Sequence, residues 1–371
     1  MLQGLKFFCA AMLFAVPARA ELVTLAETSA AVRAAVRIGG QTHEFDIALM
    51  RPARPASPSD HSGAALFLET APGDDLAPLA LSRGMAVARL DLSSLPPAAR
   101  AAALRDLAPR LRGLVGARRL LAHGRGDAGA ALAEAGTLFD GLLLQDAPAP
   151  AATGPRVIDT WGSDAYWGAG GRPLPGPAAE TRRSFFLAGM AQTLAGENCS
   201  APLNQRSPAP ALRALLAALD DWTKGAKPPP SRAPTEADLV EAAALVWPKI
   251  PGTPAPPAVA GRVPRIDPDG NELSGLRLPD HALPIATFVG FNAQKEKTGP
   301  ACAAGASASF PATKAEREKS GDPRPSLIER YGSRAYFVAT MRVVADRLVK
   351  ERLLLKEDAD AYVAAARQAP F

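Results

Sequence analysis

The order of elements in this 371-residue sequence predicts an α/β fold, a mostly parallel sheet with helices on its faces. Three observations carry that expectation. Short continuous apolar runs, the pattern of strands buried on both faces, recur along the first half of the chain. Stretches with apolar residues at helical spacing alternate with them. At 119–135 a strand runs through a turn of small residues directly into a helix.

Taken in order, residues 31–38 and 43–50 read as strands, and Gly39-Gly40 between them marks a hairpin. A Pro/Ser-rich loop follows over 51–63. The apolar runs 64–68 and 85–90 fit buried strands. Residues 97–114 read as a helix, with Leu104, Leu107, Leu111 and Leu114 on one side and Pro97 near its start. The strand at 119–123 leads to a helical run at 130–135. Residues 139–144, 156–158 and 183–187 are further strands. The helix 209–223 places Leu212, Leu215, Leu216, Leu219 and Trp222 together. A Pro-rich run at 227–234 closes this unit. From 248 to 325 Pro, Gly and Asp dominate with little periodicity, so this stretch is expected to wrap the first unit without a core of its own. Helical patterns return at 334–350 and 356–368. The expected organisation is therefore a leader over 1–20, a core over 21–235 and an extension over 236–371 that packs on the core.

The leader is read as a secretory signal. Lys6 supplies the positive start, 7–16 is an apolar run too short to span a bilayer, and Ala18-Arg19-Ala20 is a small-x-small cleavage pattern. Cleavage after Ala20 and export to the periplasm or medium are expected, with no membrane segment in the mature chain. Cleavage removes Lys6 and Arg19 from 42 bases and none of the 37 acids, leaving a net charge of +3. That is too mild for a nucleic-acid partner, and no basic cluster alternates with aromatics. Export also removes Cys9. Cys199 and Cys302 remain, and in an oxidising compartment they are expected to form one disulfide, two free thiols being the other reading.

The chemistry centres on Gly124-Arg125-Gly126-Asp127-Ala128-Gly129. Strand, small-residue turn and helix are the context in which a Gly-x-Ser-x-Gly nucleophile is held up for attack. Here Gly126 stands at the serine position and has no side chain.

The segments Val263-Pro264-Arg265-Ile266-Asp267-Pro268-Asp269-Gly270-Asn271-Glu272, Gly275-Leu276-Arg277-Leu278-Pro279, residues 283–292 and residues 321–331 resemble the exported alpha/beta-hydrolase domain proteins of bacteria that carry a characteristic C-terminal extension. Trp222-Thr223-Lys224-Gly225 with its following Pro run is also similar. The resemblance covers roughly residues 100–365. It implies an alpha/beta-hydrolase fold and a triad whose elbow has the form Gly-x-Ser-x-Ser-Gly; here the glycines match and both serines are absent. The family's histidine follows the last core strand, where this chain has Gln192. Its acid follows the strand at 156–158, where Asp164 is the better match and Asp159 the second.

These losses compound. Without an oxygen nucleophile at 126 no acyl-enzyme forms, and an amide at 192 does not titrate near neutral pH. Backbone N–H groups around Asp127 still offer an oxyanion hole. His123 and Asp127 flank the empty position; a displaced base is one reading, and a packed strand-end histidine with a helix-capping aspartate is the favoured one. His43 and His61 are far away in sequence. His281 lies beside Asp280, but the four histidines show no metal-ligand spacing. Asp267-x-Asp269-Gly270-Asn271-Glu272 hints at calcium, yet lacks the twelve-residue spacing and the terminal bidentate Glu of an EF-hand loop and reads more simply as a turn. The glycines at 124, 126 and 129 also fit a dinucleotide fingerprint, though in the middle of the chain.

The expectation is an exported, catalytically degenerate hydrolase-fold protein, with no cofactor or metal, whose pocket binds a small molecule or a partner. The alternatives are a live carboxylic-ester hydrolase using relocated Ser163, His123 or His281, and a scaffold of the cell envelope with 248–325 as its interface.

Overall fold

The computed structural model describes residues 20–27, 31–53, 64–70, 76–148, 154–168, 179–191, 194, 196–298, 300 and 302–371. Lys6, Cys9, His61 and Gln192 lie outside them.

Nine strands form one sheet: β1 (Ala20–Glu27), β2 (Val32–Ile38), β3 (Gln41–Met50), β4 (Ala65–Glu69), β5 (Ala86–Arg89), β6 (Arg119–Arg125), β7 (Gly141–Gln145), β8 (Arg156–Gly162) and β9 (Arg182–Leu187), in the spatial order β1-β2-β3-β5-β4-β6-β7-β8-β9. The first three pair antiparallel, and β5 through β9 are parallel. Gly39 and Gly40, at φ +56° and +88°, close the two-residue β2–β3 hairpin, where both central residues need the left-handed region.

The sheet is buried on both faces, which explains the continuous apolar runs. Leu66, Leu68, Leu120, Ala122, Leu142 and Leu144 face one core, shared with α2 (Pro97–Leu114) and α3 (Gly126–Glu134). The residues between them, Phe67, Leu121 and Leu143, face the other. That core is shared with α1 (Leu76–Ser82) and α5 (Ala209–Thr223). Alternate side chains therefore leave each strand for different helical layers. On α2, Leu104, Leu107 and Leu111 are buried, whereas Leu114 at the helix end is 40% exposed. On α5 all five expected positions are buried. Asp220, fully buried on α5, receives Arg119, Arg83 and Lys224 at 2.8–2.9 Å and ties that helix to the start of β6.

The stretch 248–325, expected only to wrap, is more ordered than its periodicity conveys, and further short elements and the expected C-terminal helices flank it. α4 (Asp164–Trp167) ends the β8 connection, and two antiparallel ladders follow, β10 (Leu239–Glu241) with β11 (Arg262–Pro264) and β12 (Ala286–Val289) with β13 (Ala306–Ser309). Between and after them come α6 (Pro279–Ala282), α7 (Lys314–Ser320), α8 (Leu327–Tyr331), α9 (Arg334–Lys350) and α10 (Lys356–Ala366). Strands of three or four residues carry too little alternation to register in a sequence. Val263, Val289 and Phe291 pack with Trp161 and Phe186 of the main sheet, while Phe310, Leu327, Tyr331, Phe337 and Val363 form a small core of their own. Ala345, Leu348, Leu353, Leu354 and Ala359 join the α5 side of the main core. Among the described residues no helix is long and apolar enough to cross a membrane.

Candidate active site

The buried strand β6 delivers its carboxyl end between β4 and β7, with Arg125 opposite Gln145. Gly126 follows at φ +54° and opens α3. A residue with a Cβ pays about 1–2 kcal/mol to sit there, the strain characteristic of a nucleophile elbow. Two glycines hold the strand and helix together. A Cβ on Gly124 would stand 2.7 Å from both Leu132 Cδ1 and Thr70 Oγ1. One on Gly129 would stand 2.7 Å from Ala147 Cβ and 2.8 Å from the Gly124 carbonyl. Among the described residues a Cβ on Gly126 meets nothing within 4 Å. The turn is tight at Gly124 and Gly129, and no described atom crowds Gly126.

Around it, His123 is fully buried in β6 with Nε2 3.3 Å from Gln145 Oε1, and burial pushes its pKa down to about 4. Its carbonyl accepts the Thr70 N–H and hydroxyl. Asp127 falls in the first turn of α3, exposed, 3.6 Å from Arg100; the helix starts at Gly126, so this carboxylate complements the dipole and makes no side-chain cap. Asp159 sits inside β8 and is spent on Arg182, at 2.8 and 3.0 Å, and on the Ser184 hydroxyl at 2.7 Å. Asp164 opens α4 beyond the carboxyl end of β8, its carboxylate folded over Gly162, where an added Cβ would be 2.6 Å away. The two acid candidates are thus separated, one at the strand end and one within the strand. Asp146, absent from the sequence-level candidates, occupies the carboxyl end of β7 at φ +47°. The only cue was an acid directly after an apolar strand.

The tail of β9 is held from every side. The Ala188 carbonyl accepts Arg206 Nη1 at 2.9 Å. Gly189, at φ +64°, donates its N–H to Glu272 Oε2 at 2.7 Å, and its carbonyl accepts Asn204 Nδ2 at 2.7 Å. The Met190 carbonyl accepts the Ser163 N–H at 2.6 Å. Ser163 is fully buried; its hydroxyl donates to Glu272 Oε1 at 2.6 Å and accepts the Gly290 N–H at 3.1 Å. Burial pushes Glu272 up to about 7 against the pull of Ser163, the Gly189 N–H and Arg206. His281 is fully buried on α6. Its Nε2 donates to the Glu272 carbonyl at 2.9 Å, and Nδ1 faces Arg206 Nη1 at 3.5 Å. Burial, aided by Arg206, holds its pKa near 3. Arg206 completes the cluster with a bidentate pair to Asp280 at 2.7 and 2.8 Å.

Ser163, a carboxylate and His281 are therefore close, but the histidine reaches the backbone of Glu272 and the serine reaches its carboxylate. A triad needs the histidine between the other two. Asn204 was not among the residues singled out in the sequence, and Glu272 entered only as the end of the calcium-like run; burial of a Gly-Asn-Glu turn is a tertiary fact. That turn is organised by Asp267, whose Oδ1 accepts the Asp269 and Asn271 N–H groups at 2.9 Å, while Asp269 pairs with Arg330 at 2.8 Å. Both carboxylates are thus engaged by protein groups.

Cys199 and Cys302 form a disulfide with Cα atoms 5.1 Å apart, joining the chain beyond the β9 tail to the segment before β13. Between β7, β8 and β9 lies a crevice of about 10 Å³ lined by Asp146, Trp161, Gly162 and Met190. It has barely the volume of one water.

Sheet order, elbow and helical layers define an alpha/beta-hydrolase-fold protein. The family described as "Alpha/beta hydrolase domain" matches residues 172–364, just over half of the chain, and the chain belongs to it. Among solved structures it is similar to a lidless serine hydrolase from Xanthomonas campestris: 15% identity, 37% of this chain and 73% of that one, TM-score 0.26. A carbohydrate esterase family 15 glucuronoyl esterase from Caldicellulosiruptor kristjansonii gives 16%, 42%, 51% and 0.29. A propionate-bound esterase from Thermogutta terrifontis gives 12%, 32%, 67% and 0.24. No curated protein matches.

Proposed function

We propose that this is an exported hydrolase-fold protein that has lost serine-esterase chemistry and uses its elbow face to bind a ligand or partner without turnover. One observation carries the reading: Gly126 has the left-handed backbone of an elbow, lies between two tightly packed glycines, and among the described residues has nothing within 4 Å of where a side chain would start. With no oxygen there, no acyl-enzyme forms. Gln192 at the family's histidine position removes the base as well. Asp164, at the end of β8, is the acid position of this reading. The purified mature protein is expected to show no turnover of short-chain aryl esters above background and no labelling by a fluorophosphonate. Turnover that survives stringent purification and is lost on mutating a residue beside Gly126 would overturn it.

A second reading rests on the 2.6 Å contact of Ser163 with a carboxyl pushed up to about 7: a relocated hydrolase, for which the same probe would label Ser163. A scaffold role in the cell envelope is the non-catalytic rival, tested by pull-down from the envelope fraction. Export is supported by the disulfide, which needs an oxidising compartment. Mass measurement of the exported chain tests the cleavage point. Residues 21–235 are taken as the core and 236–371 as the extension; since Ala345 to Ala359 line the main core, truncation at 235 is expected to abolish folding.

A further inference from the structure

Arg277 belongs to the Gly275–Pro279 segment singled out in the sequence, and nothing in the elbow or the β9 fastening uses it. Its Nε is buried without a hydrogen-bond partner, and the side chain has no ion-pair partner among the described residues. A buried N–H left unmatched carries the full cost of its lost hydration, more so on a charged group. Arg277 lines a cavity of about 230 Å³ together with Arg232, Arg347, Glu351, Leu348 and the backbone at Gly275. Arg232 reaches this place because it bridges to Phe185 of β9, and Leu276 because it bridges to Leu187. Arg347 and Glu351 come from the end of α9. Three arginines and one glutamate thus line it, and that carboxylate is already committed to Arg232 at 2.9 Å. Asp267, in the turn before Arg277, senses its charge but accepts the Asp269 and Asn271 N–H groups at 2.9 Å.

We propose that this cavity is a binding site for a single tetrahedral oxyanion, phosphate or sulfate, free or as the end group of a small monoester. The chemistry is that of planar N–H forks, which match tetrahedral and carboxylate oxygens in bidentate fashion. The size argues for a small anion, being below the roughly 300–1,000 Å³ of sites for larger ligands. No aromatic side chain lines it, so a nucleobase would find no stacking surface. Two larger cavities among the described residues also hold arginines: one of about 480 Å³ has Arg206 and Arg213 paired with Asp280 and Asp358, and one of about 470 Å³ has Arg324 paired with Asp322. The inference is independent of the elbow's reading.

The test is calorimetric titration of the whole mature protein with inorganic phosphate, sulfate and phenyl phosphate at fixed ionic strength, with acetate for comparison. Saturable binding of phosphate or sulfate is expected. Arg277→Met is expected to weaken it roughly ten- to hundredfold, the loss of one or two charge-assisted hydrogen bonds. Glu351→Gln releases Arg232 and is expected to tighten binding several-fold, a gain that misfolding cannot mimic. Tighter binding of phenyl phosphate than of phosphate assigns the site to monoesters, and the reverse assigns it to the free ion. No saturable binding in the wild-type protein, or binding unchanged by both substitutions, overturns the proposal.

Discussion

Within one sheet, the tail of β6 and the tail of β9 are built in opposite ways. At β6 the turn is tight and carries no side chain: Gly126 is left-handed, and among the described residues nothing lies within 4 Å of a Cβ placed there. At β9 the side chains suited to chemistry are present, and each is consumed. Ser163, Glu272, His281, Arg206 and Asp280 bond to one another or to the backbone of 188–190 and hold that loop in place. A serine, a carboxylate and a histidine within reach do not make a catalytic unit. The proton must have a path from the first through the last, and access for a substrate. The comparison also predicts that the two tails respond unequally to change.

The largest effect is expected at the tether beyond the β9 tail. Replacing Cys199 and Cys302 together by serine releases a closure of 103 residues and should cost about 4–5 kcal/mol in the chain-entropy account, read from denaturant unfolding. Arg206→Met should cost about 3–4 kcal/mol. It leaves Asp280 and the Ala188 carbonyl unmatched; the figure lies at the lower end for a broken buried pair because Asp280 is 29% exposed. A cost below 1 kcal/mol would mean the fastening contributes little.

Glu272→Gln tests the same cluster through pH. Glu272 is raised in the fold from 4.5 to about 7. Its contribution is therefore present below pH 4.5 and lost as pH rises through about 7. The non-titrating variant should gain on the wild type by as much as about 3 kcal/mol between pH 4 and pH 8. His123 and His281, held neutral, act in the opposite sense, costing stability as pH falls from 6.5 toward about 4 and about 3. Parallel pH profiles for the two proteins would contradict the burial of a protonated carboxyl.

The smallest effect belongs to the elbow. Gly126→Ser adds a Cβ with no described atom within 4 Å and should cost only about 1 kcal/mol, for the left-handed backbone. It should yield no esterase, since no histidine stands at 192. Activity in that variant would show that another group serves as the base.

Much of the fold was legible in the sequence. The continuous apolar runs at 64–68, 119–123 and 139–144, and the leucine spacing of 97–114 and 209–223, are read directly because burial on two faces and helical periodicity leave local signatures. The short ladders of 239–264 and 286–309 left none, and α1 and the edge strand β1 passed unread. The turn at Gly126 was legible because small residues follow a strand there and a helix comes next. The contacts of Asp146, Asn204 and Glu272 were not, because they depend on partners far away in the chain.

By itself, then, the sequence determined the sheet and its helical layers, since burial and periodicity are local patterns. Only the tertiary structure decided what the remaining polar residues do. Ser163 and His281 are chemically able but wired to Glu272 as structure. Arg277 is left without a partner in a cavity that three separate segments close. Hydrogen bonds and charge pairs act at contact distance, and which groups come into contact is fixed by the packing of the whole chain.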